Sequence, residues 1–356
     1  MKKYIGCDMH KKYSVFVAMD EKGHLEPAVT VSNDLLELRS YLATLPAGTP
    51  IAVEATGGWY WFVDELEQAG LEVHLVNPLE AKKRMRGRNK TDKLDAAGLA
   101  MLLRNGTLPE VWIPPAQLRD LRGLLRARLG LRNHTTILKN RIHGALRRYG
   151  QYEPGEPKNL FAGKGRVHLS VYVSSLPAET RLGTRHEWAL VDEVEEHIKA
   201  LEMRIRLRLG QLGWVRLLKT LPGVGDILSA TIYLEIGDVS RFASPERLAS
   251  YAGLTPTVQA SGGKVWLGPT SPVANHYLKW AFVEAANCVV MRKQKYQNTH
   301  AVQLYERLRA SKNHGKAAVA LARHLAEASW WMLSKKQAYR EPAPASMSSS
   351  KNGSAR

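Results

Sequence analysis

The chain has 356 residues, with 51 Lys+Arg against 33 Asp+Glu for a formal charge of +18, and a composition that is 44% hydrophobic and 24% charged. Such a length supports more than one core, and such proportions are those of folded protein, which excludes both a single small module and a disordered polycation. The excess cation calls for a polyanionic partner, and it is unevenly placed: residues 1–110 hold 14 basic and 15 acidic side chains, so the remainder carries +19.

No apolar run approaches the roughly 20 residues of a membrane-spanning helix. The short stretch before Cys7 lacks the apolar region of a lipoprotein signal. The sequence therefore reads as a soluble cytoplasmic protein with no membrane partner, whose two cysteines, Cys7 and Cys288, stay reduced.

In chain order, Tyr4 to Asp8, Tyr13 to Met19 and Leu25 to Val31 are short β-rich bursts separated by polar turns, the pattern of a three-stranded meander. Asn33 is placed to cap a helix through Leu35, Leu38 and Leu42, and Pro50 leads into a buried strand ending at Glu54. A helix from Trp59 to Gln68 and a strand from Leu71 to Val76 follow, stopped by Asn77-Pro78. With a further helix from about Thr91 to Leu103, the order βββαβαβα predicts a layered α/β domain over residues 1–110.

Beyond Pro114-Pro115 the character changes. Residues 118–148 hold nine basic residues and one acid over apolar positions at helical spacing, a long helix with a cationic face that includes Arg122 and Arg126. Residues 150–185 read as a connector. Val191, Val194, Ile198, Leu201, Ile205 and Leu212 then keep a nearly heptad spacing, so the two long helices of residues 115–215 are expected to form either a helical hairpin or a coiled-coil arm that dimerises the protein. A mostly helical domain is expected over 216–340, with a disordered tail over 341–356 rich in Pro, Ala and Ser.

Asp8 and Glu54 each end an apolar strand, and Asp92 and Asp95 stand three apart on one face of a predicted helix. Singly, each has an ordinary reading as a turn, cap or helix-dipole residue. Brought together they would repel unless a cation neutralised them, and oxygen ligands suit Mg²⁺ or Mn²⁺, ions that serve phosphodiester chemistry.

The segments Ile5-Gly6-Cys7-Asp8, Val53-Glu54-Ala55-Thr56-Gly57, Val76-Asn77-Pro78 and Asn89-Lys90-Thr91-Asp92-Lys93-Leu94-Asp95-Ala96 resemble the DEDD motif of transposases from a large class of bacterial insertion sequences, now described as bridge-RNA-guided DNA recombinases. The second half agrees: Leu221-Pro222-Gly223-Val224-Gly225, Tyr251-Ala252-Gly253-Leu254-Thr255-Pro256 and Ala260-Ser261-Gly262-Gly263 resemble that family's second domain.

The resemblance implies an N-terminal ribonuclease H-like domain similar to Holliday-junction resolvases (RuvC-like), with Asp8, Glu54, Asp92 and Asp95 as catalytic metal ligands. It implies Ser261 as the nucleophile that joins covalently to DNA. It also implies a structured noncoding bridge RNA, DNA partners at the element ends and target, and dimers that pair into a tetramer in which one protomer's carboxylates meet another's serine. The sequence departs from the family at Thr270-Ser271-Pro272, where a basic residue is expected, and residues 150–185 match nothing.

Lys82, Lys83, Arg84, Arg86, Arg88 and Lys90 place six cations in nine residues beside Asp92, a run suited to a phosphate backbone, and Lys264 adjoins the serine motif. Gly223 and Gly225 fit the hairpin of helix-hairpin-helix modules, whose amides face phosphate, although the same glycines also suit a tight link between packed helices. Trp59, Tyr60 and Trp61 suit base stacking or core packing. His10 and His134 have no partner spacing for zinc. Three alternatives stand: a junction-resolving metal nuclease needing only the acids, a non-catalytic nucleic-acid scaffold, and an actin-like sugar kinase. The last is disfavoured because Met9 and His10 occupy the place of its phosphate-binding turn.

Overall fold

The structure is a computed structural model that describes residues 2–85, 91–151 and 159–341. The chain divides into two compact units, Met1–Pro114 and Pro115–Arg356.

The first unit is built on β1 (Lys3–Met9), β2 (Tyr13–Asp20), β3 (Val29–Ser32), α1 (Leu35–Leu42), β4 (Pro50–Glu54), α2 (Trp59–Gln68), β5 (Glu72–Val76), α3 (Pro78–Arg84) and α4 (Asp92–Arg104). The five strands form one sheet in the order β3-β2-β1-β4-β5. The first three run antiparallel as a meander, and β1, β4 and β5 are parallel, so their C-terminal ends meet along one edge of the sheet. The predicted element order holds, with two local corrections. Helix α1 is capped by Asp34, whose carboxylate accepts from the amides of Leu36 and Glu37, rather than by Asn33. Asn77-Pro78 does not merely stop β5: Asn77 caps α3, with proline in its first turn, where a missing N–H costs nothing.

Each face of the sheet is buried by different helices, as the alternation of side chains along a strand requires. Ile5, Cys7, Ile51 and Val53 face Leu38, Leu42, Phe62 and Leu66 of α1 and α2. On the other face Ala52 and Val76 pack with Leu99, Leu102 and Leu103 of α4, and Val15 and Val17 with Ala96. Gly6 lets α4 lie directly on β1. A Cβ at this position would sit 1.9 Å from the Ala96 carbonyl oxygen and 2.6 Å from the Ala100 amide nitrogen.

The second unit begins with α5 (Ala116–Arg148), followed by α6 (Gly165–Ser174) and α7 (Ala178–Leu209). The near-heptad stripe of α7 is consumed inside the chain. Ile198 is fully buried, Val191 packs with Ile142 and Leu146 of α5, and Ile205 and Leu209 pack with Leu125. Arg128 pairs with Glu202, Lys139 with Glu195 and Arg141 with Glu187, a register that fixes the two helices as antiparallel. Of the two expected arrangements the helices adopt the intrachain hairpin, in which Val191, Ile198, Ile205 and Leu209 of the stripe are buried within the chain. The predicted connector holds α6, whose Leu169, Tyr172 and Val173 close the end of that hairpin.

The remaining elements are α8 (Gly213–Leu218), α9 (Asp226–Ile236), α10 (Pro245–Tyr251), β6 (Pro256–Ser261), β7 (Lys264–Thr270), α11 (His276–Met291), α12 (Lys293–Tyr296), α13 (His300–Arg309) and α14 (His314–Lys335). The core of this region joins Ile232 and Ile236 of α9, Phe282 and Ala285 of α11, and Leu321 and Leu325 of α14. Each large aliphatic or aromatic side chain buried this way contributes about 1.5–3 kcal/mol. The exception to the helical pattern is the β6–β7 hairpin, which the sequence reading did not anticipate. Among the described residues, no helix is long and apolar enough to cross a membrane, and Cys7 and Cys288 are free thiols.

Candidate functional site

The site in the first unit follows from strand parity and from Gly6. Gly6 pairs with Ala52 and Cys7 with Val53 in the parallel β1–β4 ladder, so the next residues, Asp8 and Glu54, leave the ends of their strands on the face covered by α4. Because α4 rests on Gly6, its first turn lies over the end of β1. That turn carries Asp92 and Asp95, and Thr91 caps it by accepting from the Leu94 amide. Four acids separated by up to 87 positions thus issue toward one corner of the sheet.

Ligand atoms of Asp8, His10 and Asp92 all lie within 4.8 Å of one another. His10 Nε2 is 3.3 Å from Asp8 Oδ2 and 3.1 Å from Asp92 Oδ2, and the Tyr13 hydroxyl donates to Asp92 Oδ2 at 3.0 Å. Glu54 and Asp95 fall outside that tightest group. Burial pushes the Asp8 carboxyl above its ordinary range; His10 opposes the rise, and the charges of Asp92 and Asp95 add to it. Asp95 is thus close enough to be felt electrostatically at Asp8. The Tyr13 phenol is raised by its hydrogen bond to Asp92.

These donors fit a divalent cation. The carboxylates repel one another, and His10 Nε2 is a buried nitrogen that makes no well-aligned hydrogen bond. Asp8, Asp92 and His10 would hold the ion, with Asp95 and Glu54 beside them. Sequence reasoning dismissed His10 because it sought metal-ligand spacing along the chain. Its partners come from another strand position and from a helix 82 residues on. The signal available was its place two residues past the strand-end aspartate.

Of the cationic run, Arg86, Arg88 and Lys90 lie outside the described residues. Lys82, Lys83 and Arg84 form the exposed last turn of α3, where Lys83 pairs with Glu80 at 2.7 Å and Arg84 donates to the Thr107 carbonyl. Tyr60 and Trp61 are more than a third exposed at the start of α2, whose core face is Phe62, Val63 and Leu66.

In the second unit, Ser261 ends β6 opposite Lys264, across a two-residue turn in which Gly262 and Gly263 have φ of +56° and +75°. Positive φ at both positions is what the tight turn of a twisted hairpin requires, so the glycines serve the turn. Ser261 and Lys264 are exposed at its tip. At the departure from the family pattern, Lys279 of α11 donates to Thr270 Oγ1 at 2.7 Å and so supplies a cation from another element.

Three residues expected at a nucleic-acid surface make intrachain contacts. Arg122 is 5% exposed, donating to the Leu234 and Glu235 carbonyls at the end of α9 and pairing with the Glu235 carboxylate at 3.4 Å. Arg126 pairs with the same carboxylate at 3.0 Å. Both guanidiniums are held by a buried acid, Arg122 wholly inside and Arg126 with a third of its side chain exposed. The Gly223 amide donates to the Tyr296 hydroxyl at 3.3 Å, and a Cβ there would lie 2.1 Å from the Ala285 carbonyl oxygen. That glycine is needed for close packing of the α8–α9 link on α11, whereas Gly225 faces open space.

Residues 215–301 match the model of the transposase IS116/IS110/IS902 family, and residues 5–151 match a DEDD transposase model of the IS110 type. The chain is 24% identical over 346 residues to the transposase for insertion sequence element IS1111A of Coxiella burnetii, covering 95% of this chain and 91% of that protein. It is 24% identical over 339 residues to a probable family 20 transposase of Pseudomonas aeruginosa, covering 94% and 98%. It is 24% identical over 329 residues to the transposase for insertion sequence element IS1328 of Yersinia enterocolitica, covering 92% and 95%.

Proposed function

The chain belongs to the IS116/IS110/IS902 family of transposases, and from that premise we propose that it cuts and rejoins DNA strands through a covalent seryl-DNA intermediate, using a ribonuclease H-like first unit. The observation that carries the reading is the convergence of Asp8, Asp92 and Asp95 at one sheet corner around His10. Asp8 and Asp92, with Glu54 and Asp95 beside them, would hold Mg²⁺ or Mn²⁺, which would supply charge neutralisation at a phosphodiester under attack. The mixed sheet order with its antiparallel second strand supports the ribonuclease H-like assignment.

In the proposed reaction the Ser261 oxygen forms a bond to phosphorus as the bond to a deoxyribose oxygen breaks. The serine loses a proton and the departing oxygen gains one. A hydroxyl on a second strand then displaces the serine, so the phosphodiester count is conserved. The exposed tip of the β6–β7 hairpin gives a DNA backbone access to Ser261, and Lys264 and Lys279 are cations near that segment. Guidance by a structured bridge RNA, assembly into dimers that pair as tetramers, and action in the bacterial cytoplasm belong to the same proposal. They rest on the resemblance of the motifs, because the near-heptad stripe of α7 is used inside the chain.

Ser261→Ala tests the covalent step. With element-end DNA and the co-expressed flanking RNA, a denaturing gel is expected to show a protein-DNA adduct for the wild type and none for S261A. Cleavage by S261A without an adduct overturns the serine mechanism in favour of a metal nuclease.

A further inference from the structure

We propose that His10 is itself a ligand of the cation held by the carboxylates, which makes the centre a mixed oxygen-nitrogen site selective for Mn²⁺ over Mg²⁺. The inference rests on the reading of Asp8 and Asp92 as metal ligands and adds a residue outside the DEDD set.

Three observations carry it. His10 Nε2 stands 3.3 Å and 3.1 Å from the carboxylate oxygens of Asp8 and Asp92, on an imidazole side chain that is 37% exposed. Adjacent ligands of an octahedral ion with bonds of about 2.1 Å are separated by about 3.0 Å, so these spacings are those of neighbouring corners around one ion.

The imidazole is also held in place from behind. The His10 amide donates to the Tyr13 carbonyl at 2.9 Å, and its carbonyl accepts from Asn33 Nδ2 at 2.6 Å. Asn33 Oδ1 in turn accepts from the hydroxyl of Ser14, which is fully buried on β2. The His10 ring leans on that of Tyr13 with centroids 4.7 Å apart, while the Tyr13 hydroxyl bonds Asp92. This braces the backbone of the turn between β1 and β2 from which the imidazole reaches the acids. The displacement of Asn33 from the helix-cap role follows from this bracing.

The third argument is ligand chemistry. Mg²⁺ takes oxygen almost exclusively, whereas imidazole favours transition metals, so one nitrogen in the set discriminates between ions that four carboxylates would treat nearly alike.

The test uses the full-length protein, Mn²⁺ and Mg²⁺, with no DNA and no activity readout. Pulsed electron paramagnetic resonance of bound Mn²⁺ is expected to show the coupling of a directly coordinated ¹⁴N in the wild type, lost in His10→Ala and His10→Gln. Both variants should bind Mn²⁺ about tenfold or more weaker and Mg²⁺, measured by competition, changed by less than about threefold. Circular dichroism identifies a variant that fails to fold, and the wild-type spectrum decides on its own. Mn²⁺ bound to the wild type without nitrogen coupling, or coupling that survives both substitutions, overturns the role of His10 and leaves the carboxylate site standing. Mn²⁺ that does not bind the wild type, or binds unchanged in Asp8→Asn and Asp92→Asn, overturns the carboxylate reading itself.

Discussion

Gly6→Ala is the most direct challenge to the way this fold assembles its acids. The substitution adds one methyl group to an extended strand position whose backbone accepts any residue. The obstacle lies across the interface: the new Cβ would lie 1.9 Å from the Ala96 oxygen and 2.6 Å from the Ala100 nitrogen, both backbone atoms of α4. Ordinary contact begins near 3.4 Å, so the helix must retreat by about 1.5 Å, and no side-chain rotation can relieve the clash. Overpacking of this kind costs about 1–3 kcal/mol. The retreat carries Asp92 and Asp95 away from Asp8 and Glu54, and a misplacement near 1 Å at a catalytic centre costs about 100-fold in rate. Denaturant unfolding followed by strand-cleavage assays should record both losses, with Mn²⁺ affinity falling in parallel. A Gly6→Ala protein of unchanged stability, cleavage rate and Mn²⁺ affinity would refute the account of how α4 delivers its carboxylates.

Two predictions concern the second unit. Glu235 is 2% exposed and holds Arg122, Arg126 and the Asn275 amide, so Glu235→Ala leaves the buried Arg122 charge uncompensated and should cost about 3–5 kcal/mol in equilibrium unfolding. A loss below about 1 kcal/mol would mean that the ion pair is solvated. Burial, reinforced by the His300 ring 4.9 Å away and opposed by Glu327, holds His324 below its ordinary range, so the native state keeps it neutral while the unfolded chain protonates near pH 6.5. Its stabilising contribution is complete above that pH and is lost as pH falls toward the lowered native value, with a slope of up to about 1.4 kcal/mol per pH unit. His324→Gln should flatten the stability profile below pH 6.5; an unchanged slope would assign the dependence to other groups.

The first unit was legible because its signals are local. Alternating strands, the Asn77-Pro78 and Thr91 boundaries and acids at strand tips all act within a few residues, and their order matches the observed elements. The four carboxylates were legible as a set only through resemblance to a family, since the spacing of Asp8, Glu54 and Asp92 carries no geometric information. The place of His10 beside Asp8 and Asp92 escaped because such neighbours are decided across the sheet. The pairing of Arg122 and Arg126 with Glu235 was hidden for a related reason: a cationic helix face looks the same whether or not it meets a buried acid from a helix more than 100 positions away. The apolar stripe of α7 likewise has the same period whether it packs on α5 or on another molecule.

The sequence by itself determined the excess of positive charge and, α3 apart, the element order of the first unit, because charge, periodicity and capping are properties of near neighbours. Only the tertiary structure decided which cations are already paired, that the long helices pair within the chain, and that an imidazole stands among the acids. Each of these depends on which surfaces bury one another. A two-residue alternation along β1 and one missing Cβ at Gly6 determine where Asp92 meets Asp8.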